Sequence, residues 1–460
     1  RVHELKRPFV VPEYKNEPVC SYSKGTTERK ALKIELTRQA SQHIEIPLII
    51  DGKELTTGQI ANCVMPHDHS HVLAHYHQSG ENEVQMGIKA ALSAHREWEN
   101  TPWIDRAMIM LKAADLISTK YRLQLNAATM LNQSKNVLQA EIDAACELTD
   151  FLRFNVHYMT QLYENQPNSA SGTFNRMDYR SLEGFVFAVT PFNFTAIAGN
   201  LPTAPALMGN TVLWKPASTS VLSNYYVMKI LMEAGLPAGV INFLPGAGST
   251  VGNPALASPN LAGIHFTGST SVFHRMWQNV GSNIAKYKFY PRIVGETGGK
   301  NFVVGHPSAD PQALAVALVR GAFEYQGQKC SAASRAYLPK SLWPVIKSSI
   351  GDMIEAITIG DPREFSNFMN AVIDEKSFNN SMAYINRAKN SIGVEVIFGG
   401  NGDSAKGWFV EPTVILCEDP YYESMIEEIF APILTIHLYD DKDFNQILKI
   451  CDQTSPYGLT

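Results

Sequence analysis

Cys330 is preceded by Gly327 and followed by Ser331-Ala332-Ala333-Ser334, so a thiol sits among small side chains on a turn that contains a conformationally free residue. A cysteine placed this way can approach a substrate carbonyl closely, whereas a packing cysteine normally sits among larger apolar neighbours. Free cysteines are also among the most buried residues, so this stretch alone leaves nucleophile and buried thiol both open. Two further clusters carry potential chemistry. His67, His69, His71, His75 and His77 all fall on odd positions and would share one face of an extended strand, as metal ligands or as a solvated polar face. The solvated face is the favoured reading and no metal is expected, because no second Asp/Glu/Cys cluster offers the remaining ligands. Glu141, Asp143, Glu147 and Asp150 lie in a helix expected over Leu138–Tyr158, where acidic residues read as a solvated face rather than a catalytic array.

The elements that must position these groups form a regular series. At 460 residues the chain exceeds the roughly 250–300 that a single core supports, so at least two domains are expected. From residue 184 onward short apolar strands (Gly184–Thr190, Thr211–Lys215, Val240–Leu244, Gly263–Phe266, Arg292–Val294, Phe302–Val304) are separated by helical segments. That alternation predicts an α/β fold with a parallel, doubly wound sheet, in which ligands sit at the carboxyl ends of the strands. Three of those ends are chemically loaded: Pro191-Phe192-Asn193-Phe194, Lys215-Pro216-Ala217-Ser218, and Thr267-Gly268-Ser269-Thr270. In the last, a glycine and a hydroxyl cap open a helix whose N-terminus can face a pyrophosphate. Gly246-Ala247-Gly248 through Gly252 resembles a dinucleotide fingerprint but has one residue too many before its last glycine, which makes it a weak signal. Past Ala309 a second α/β unit follows, with helices at Gln312–Tyr325, Trp343–Ile357 and Asp374–Lys389 and strands at Arg335–Leu338 and Val394–Phe398.

Before that series, residues 1–50 read as an arm with a helix near Thr27–Gln39, followed by a short strand closed by the Asp51-Gly52 turn. Two packing helices span Glu83–Ser118, with Asp105 as the N-cap of the second. Net charge is −5 without any Lys/Arg block, which removes the electrostatic footprint of a nucleic-acid binder and points to a small-molecule partner. No run of 18 apolar residues occurs, so membrane insertion is not expected. Six cysteines without paired spacing indicate a reducing compartment and free thiols.

Six motifs, in order, resemble the aldehyde dehydrogenase superfamily: Pro191-Phe192-Asn193-Phe194, Trp214-Lys215-Pro216, Phe266 to Thr270, Glu296-Thr297-Gly298-Gly299-Lys300, Gly327-Gln328-Lys329-Cys330, and Glu427 to Pro432. Residues 139–148, 200–210, 291–302 and 323–331 are most similar to the branch that oxidises glutamate gamma-semialdehyde in proline catabolism. The resemblance implies a Rossmann-type cofactor domain, a second α/β catalytic domain and a small β element for oligomerisation. The boundaries expected are 1–163 for the arm and first part of the cofactor domain, 164–182 for an oligomerisation hairpin, 183–298 for the NAD-binding domain and 299–460 for the catalytic domain.

It also implies the roles. Cys330 would add to the aldehyde to give a thiohemiacetal, because an aldehyde has no leaving hydride until a nucleophile adds. The Asn193 amide and a backbone N–H at Cys330 would hold the oxyanion, and Glu296 would activate water against the resulting thioester. Thr190, Phe192, Lys215, Ser218, Gly268, Ser269, Glu428 and Phe430 would bind NAD; Ser218 stands where many relatives have a glutamate, which leaves NADP open. Lys329, Ser331 and Glu147 would receive the amino acid end of the substrate, and Lys329 would help to ionise the thiol. A mitochondrial matrix enzyme working as a homodimer or larger homo-oligomer is expected. Arg1 without an initiator Met and the uncapped Ser455–Thr460 run read as ends of a longer chain, with the loop that anchors the substrate carboxylate beyond Thr460. The alternatives are a dehydrogenase for another semialdehyde or a non-catalytic structural subunit with this fold.

Overall fold

A computed structural model describes residues 11–460; the first ten residues of the expected arm lie outside the described residues. Two sheets carry the chemistry. The larger has seven strands in the order Arg292–Thr297, Leu261–Gly268, Phe185–Val189, Thr211–Lys215, Ile241–Phe243, Leu48–Ile50, Lys53–Leu55. Its first five strands are parallel, and the last two join antiparallel through the Ile49–Phe243 pair and a turn at Asp51-Gly52. Both turn residues have positive φ (54° and 70°), the combination that matches the twist of a two-residue hairpin. The central strands are buried on both faces, as Phe185, Phe187, Trp214 and Phe243 show. That double burial is why these strands read as continuous apolar runs rather than alternating ones.

Phe302–Val304 follows the same apolar pattern but leaves this sheet and pairs with Arg335–Pro339 in a second one. The second sheet has the order Phe302–Val304, Arg335–Pro339, Ile433–Tyr439, Thr413–Cys417, Val394–Phe398, parallel except for the last strand. The helix Thr27–Ser41 forms as expected, with the Thr26 hydroxyl accepting from Arg29 N–H. Asp105 is not an N-cap; Pro102 holds that position and Asp105 sits in the first turn of Trp103–Ser118. Residues 165–182 form no strand, so the expected hairpin is instead an exposed excursion whose legs are joined by side chains, such as Tyr179 Oη donating to Asn165 O at 2.7 Å.

The acidic segment differs most from expectation. One long helix is replaced by Val137–Ala140, a π-helical turn Glu141–Glu147 and an α-helix Leu148–Glu164. Glu141 and Asp143 are fully buried rather than solvated. Residues two apart point to opposite sides of a helix, and here both sides lie inside the protein. Glu141 accepts from Arg122 Nε at 3.1 Å, Tyr22 Oη at 2.9 Å, Asn126 Nδ2 at 2.7 Å and Cys20 N–H at 2.8 Å, which ties the N-terminal arm to this turn. These partners hold its carboxyl below the usual range against the upward push of burial. Arg122→Met strands that carboxylate, so a loss of about 3–5 kcal/mol is expected in urea unfolding. A cost below about 1 kcal/mol, the size of an exposed pair, would show that the arm is not clamped this way.

The histidines on Asp68–His77 also diverge. His69 Nε2 meets Ser404 O, His71 Nε2 meets Ala40 O, His75 Nδ1 meets Asn62 Oδ1, and His77 Nδ1 accepts from Thr57 and Gly58 N–H. His67 and His77 are buried, so these side chains do not form one solvated face. Register shifts against Ile60–Met65 break the strict alternation. Among the described residues no group of three or more His, Cys, Asp or Glu is gathered to hold a metal ion. No helix among them is long and apolar enough to cross a membrane.

Candidate active site

Cys330 lies between the two sheets. The helix Pro311–Phe323 ends in a tight turn in which Tyr325, Gln326 and Gly327 all have positive φ (52°, 56° and 67°). Only glycine takes this conformation without strain, and a Cβ on Gly327 would lie 2.2 Å from Ala431 O. The turn is therefore stricter than the glycine alone announces, because two larger residues share its left-handed backbone. Asn301 Nδ2 donates to Cys330 O at 2.7 Å and to Ala332 O at 3.0 Å, which pins the thiol segment to the start of the second sheet.

Glu296 is on the edge strand Arg292–Thr297, and its Oε1 lies 3.6 Å from Cys330 Sγ. Burial first, then the charge and hydrogen bond of Glu296, push the thiol up to about 11. The Lys329 ammonium lies 3.3 Å from Glu324 Oε2. Asn193 is buried and donates one amide hydrogen to Gln328 O at 3.0 Å, two residues before the thiol. Its second amide hydrogen remains to be used.

Cys330, Glu296, Ser331 and Glu147 share one cavity of about 440 Å³. Phe151, Phe194, Ile197, Leu201 and Phe266 give it apolar walls, and His265, Asn200 and Leu459 are among the other residues that line it. The sequence reading passed over Phe151 and His265; the signal for Phe194 was its place beside Asn193 in the motif. Glu147 sits on the last position of the π-helical turn, and burial followed by the charge of Asp143 raises its carboxyl to about 7.

On the other side of the thiol turn are the strand ends. Thr190 follows Phe185–Val189, and its hydroxyl accepts from Trp214 Nε1 at 3.0 Å. Lys215 ends its own strand, nearly buried, with its ammonium donating to Pro216 O at 2.9 Å and its pKa lowered by burial to about 8. Ser218 lies three residues on and is half-buried. Ser269 caps the helix Thr270–Ser282 without its hydroxyl closing the cap, which leaves first-turn N–H groups open at the end of Leu261–Gly268. Phe192 and Phe430 meet edge to face at 5.9 Å. Glu428 accepts from Gly299 N–H at 3.2 Å, and a Cβ on Gly298 would fall 1.8 Å from its carboxylate. The two glycines after Glu296 thus let the Glu428 loop close over that strand. A helix N-terminus suits a diphosphate, while a buried ammonium and a carboxylate suit ribose hydroxyls, so these residues fit a dinucleotide.

A parallel sheet with such strand ends, whose edge strand brings a carboxylate to a thiol, defines a class: the chain belongs to the aldehyde dehydrogenase family, whose model matches residues 54–460. The likeness narrows among relatives. The chain is 52% identical over 454 residues to the mitochondrial Delta-1-pyrroline-5-carboxylate dehydrogenase of Dictyostelium discoideum, covering 98% of this chain and 81% of that protein. With the Homo sapiens mitochondrial protein of that name it shares 44% over 446 residues, 97% of this chain and 79% of the relative. The crystal structure of the Mycobacterium tuberculosis Delta-pyrroline-5-carboxylate dehydrogenase bound with NAD superposes with a TM-score of 0.95 at 48% identity, covering 99% of this chain and 84% of that one.

Proposed function

We propose that this chain oxidises L-glutamate gamma-semialdehyde, the open form of delta-1-pyrroline-5-carboxylate, to glutamate with NAD. The observation that carries it is the approach of Cys330 Sγ to Glu296 Oε1 at 3.6 Å inside the Glu147 cavity, in a chain about half identical to dehydrogenases of that name. In this reading residues 183–298 form the cofactor domain and 299–460 the catalytic domain. Lys215 and Glu428 hold the two riboses, and Gly268 with Ser269 the pyrophosphate. Thr190, Phe192, Ser218 and Phe430 complete that wall.

Cys330 adds to the aldehyde carbon, and the oxyanion is held by the free Asn193 amide hydrogen and the Cys330 backbone N–H, each such donor lowering the barrier by about 3–4 kcal/mol. Bound NAD supplies the acceptor for the hydride. The thiol proton of Cys330 passes to solvent water as the C–S bond forms; Glu296 then takes a proton from the water that attacks the thioester, the C–S bond breaks, and the acid leaves as the sulfur is protonated again. The substrate carries an ammonium as well as the aldehyde, and Glu147 with Ser331 faces it from the cavity wall; a carboxyl near 7 is half ionised at neutral pH and gains charge when an ammonium arrives. The setting is the mitochondrial matrix, supported by relatives named mitochondrial, and the assembly is a homodimer or larger homo-oligomer, with the exposed 165–182 excursion, including Phe174 at 84% exposure, as the surface for it.

NADH formation with glutamate semialdehyde, beside succinate semialdehyde and simple aliphatic aldehydes, tests the substrate. A preference of about tenfold or more in kcat/KM for the amino acid substrate is expected, since one charged contact is worth about that much. Equal rates would sink the assignment and leave a general aldehyde dehydrogenase.

A further inference from the structure

Lys135 and Asp143 form an ion pair at 2.8 Å in which both side chains are shielded from solvent, and neither lines the cavity. Replacing a buried ion pair by apolar residues is often neutral for stability, so stability alone does not account for this one. Its contacts do. Asp143 Oδ2 accepts from Thr195 N–H at 2.9 Å and Oδ1 from Ala196 N–H at 2.8 Å, which anchors the chain immediately after Asn193. The Lys135 ammonium lies 3.9 Å from the Phe194 ring centre and 4.6 Å from that of Tyr325, so it touches both the Asn193 segment and the left-handed turn before Cys330. The two preceding residues make the same two connections. Gln133 Nε2 donates to Phe192 O at 2.7 Å, and Gln133 O accepts from Tyr325 Oη at 2.7 Å. Ser134 O accepts from Gln326 Nε2 at 3.0 Å.

We propose that the Gln133–Lys135 segment and its partner Asp143 are positioning residues that set the register between the Asn193 amide and the Cys330 turn. The strained backbone at Tyr325 and Gln326 persists because this segment holds both side chains. A loosened register leaves the thiol and the oxyanion donor present but misplaced, and a 1 Å error of that kind can cost about 100-fold in rate. The proposal rests on the roles given above to Cys330 and Asn193.

Lys135→Met, Asp143→Asn and the double variant, each in the whole chain, test it. Either single change strands a buried charge and lowers the melting temperature, whereas the double change removes both charges and recovers part of the loss, the remainder being the one backbone N–H of Thr195 and Ala196 that an amide in place of the carboxylate cannot accept. In the double variant kcat is expected to stay about 10- to 100-fold down with KM within about twofold, and the iodoacetamide labelling rate of Cys330 to shift about threefold or more. A double variant with wild-type kcat and labelling overturns the proposal. If the charge variants do not fold, Tyr325→Phe decides: a lowered kcat with altered labelling at an unchanged melting temperature supports positioning, and wild-type values for both refute it. Labelling needs no substrate, so it still decides if the wild-type chain oxidises no aldehyde, a result that would instead sink the proposed function.

Discussion

Cys330→Ala is expected to lower turnover by about 10⁴-fold or more, because the step that creates an oxidisable species disappears with the nucleophile. NAD affinity should remain within about twofold, since no cofactor group is removed. The same thiol makes a second, pH-resolved expectation in the wild-type chain. Its pKa is raised to about 11 by burial and Glu296, so at pH 7 about one molecule in 10⁴ carries a thiolate. Alkylation by iodoacetamide should therefore rise roughly tenfold per pH unit from 7 toward 11, where an unperturbed thiol levels off near 8.5. An Ala variant that keeps a tenth of wild-type turnover would show that Cys330 is not the nucleophile, and a wild-type chain without turnover would return it to the structural-subunit reading. A labelling profile that levels off near pH 8 would remove Glu296 from the neighbourhood of the resting thiol.

Much of this site was legible because its parts sit where strands end. Parallel strands buried on both faces are continuous apolar runs, and Asn193, Lys215 and Ser269 could be placed by counting from them. What could not be read was burial that depends on distant partners. Glu141 and Asp143 look like any acidic helix face until Arg122 and Lys135 are brought to them, and no local pattern encodes those pairings. The turn before Cys330 was announced by Gly327 alone, since Tyr325 and Gln326 carry no preference for positive φ and are held there by Gln133, Ser134 and Ala371 carbonyls. The pairing of Lys329 with Glu324, five residues earlier across the tight turn, was likewise not written in any local pattern. For the histidines, strict alternation assumed an unbroken strand, which the register shifts opposite Cys63–Met65 do not allow.

Glu296→Gln is expected to lower steady-state turnover by about 10²–10⁴-fold, the usual contribution of a general base, while leaving the first half of the reaction intact. Mixing enzyme, cofactor and aldehyde should then give a burst of one reduced cofactor per Cys330, and intact mass should show the acyl group retained on the protein. Two of the influences that raise the thiol, the charge and the hydrogen bond of Glu296, vanish with the carboxylate, although burial remains. The thiol pKa must therefore move down, and alkylation at a fixed pH of about 8 must become faster in the variant than in wild type. Slower turnover with faster alkylation separates a carboxylate that activates water from one that activates the thiol. If Glu296 serves chiefly to take the thiol proton during attack, the burst itself disappears, no acyl adduct accumulates, and the 3.6 Å contact is the catalytic one rather than a resting arrangement.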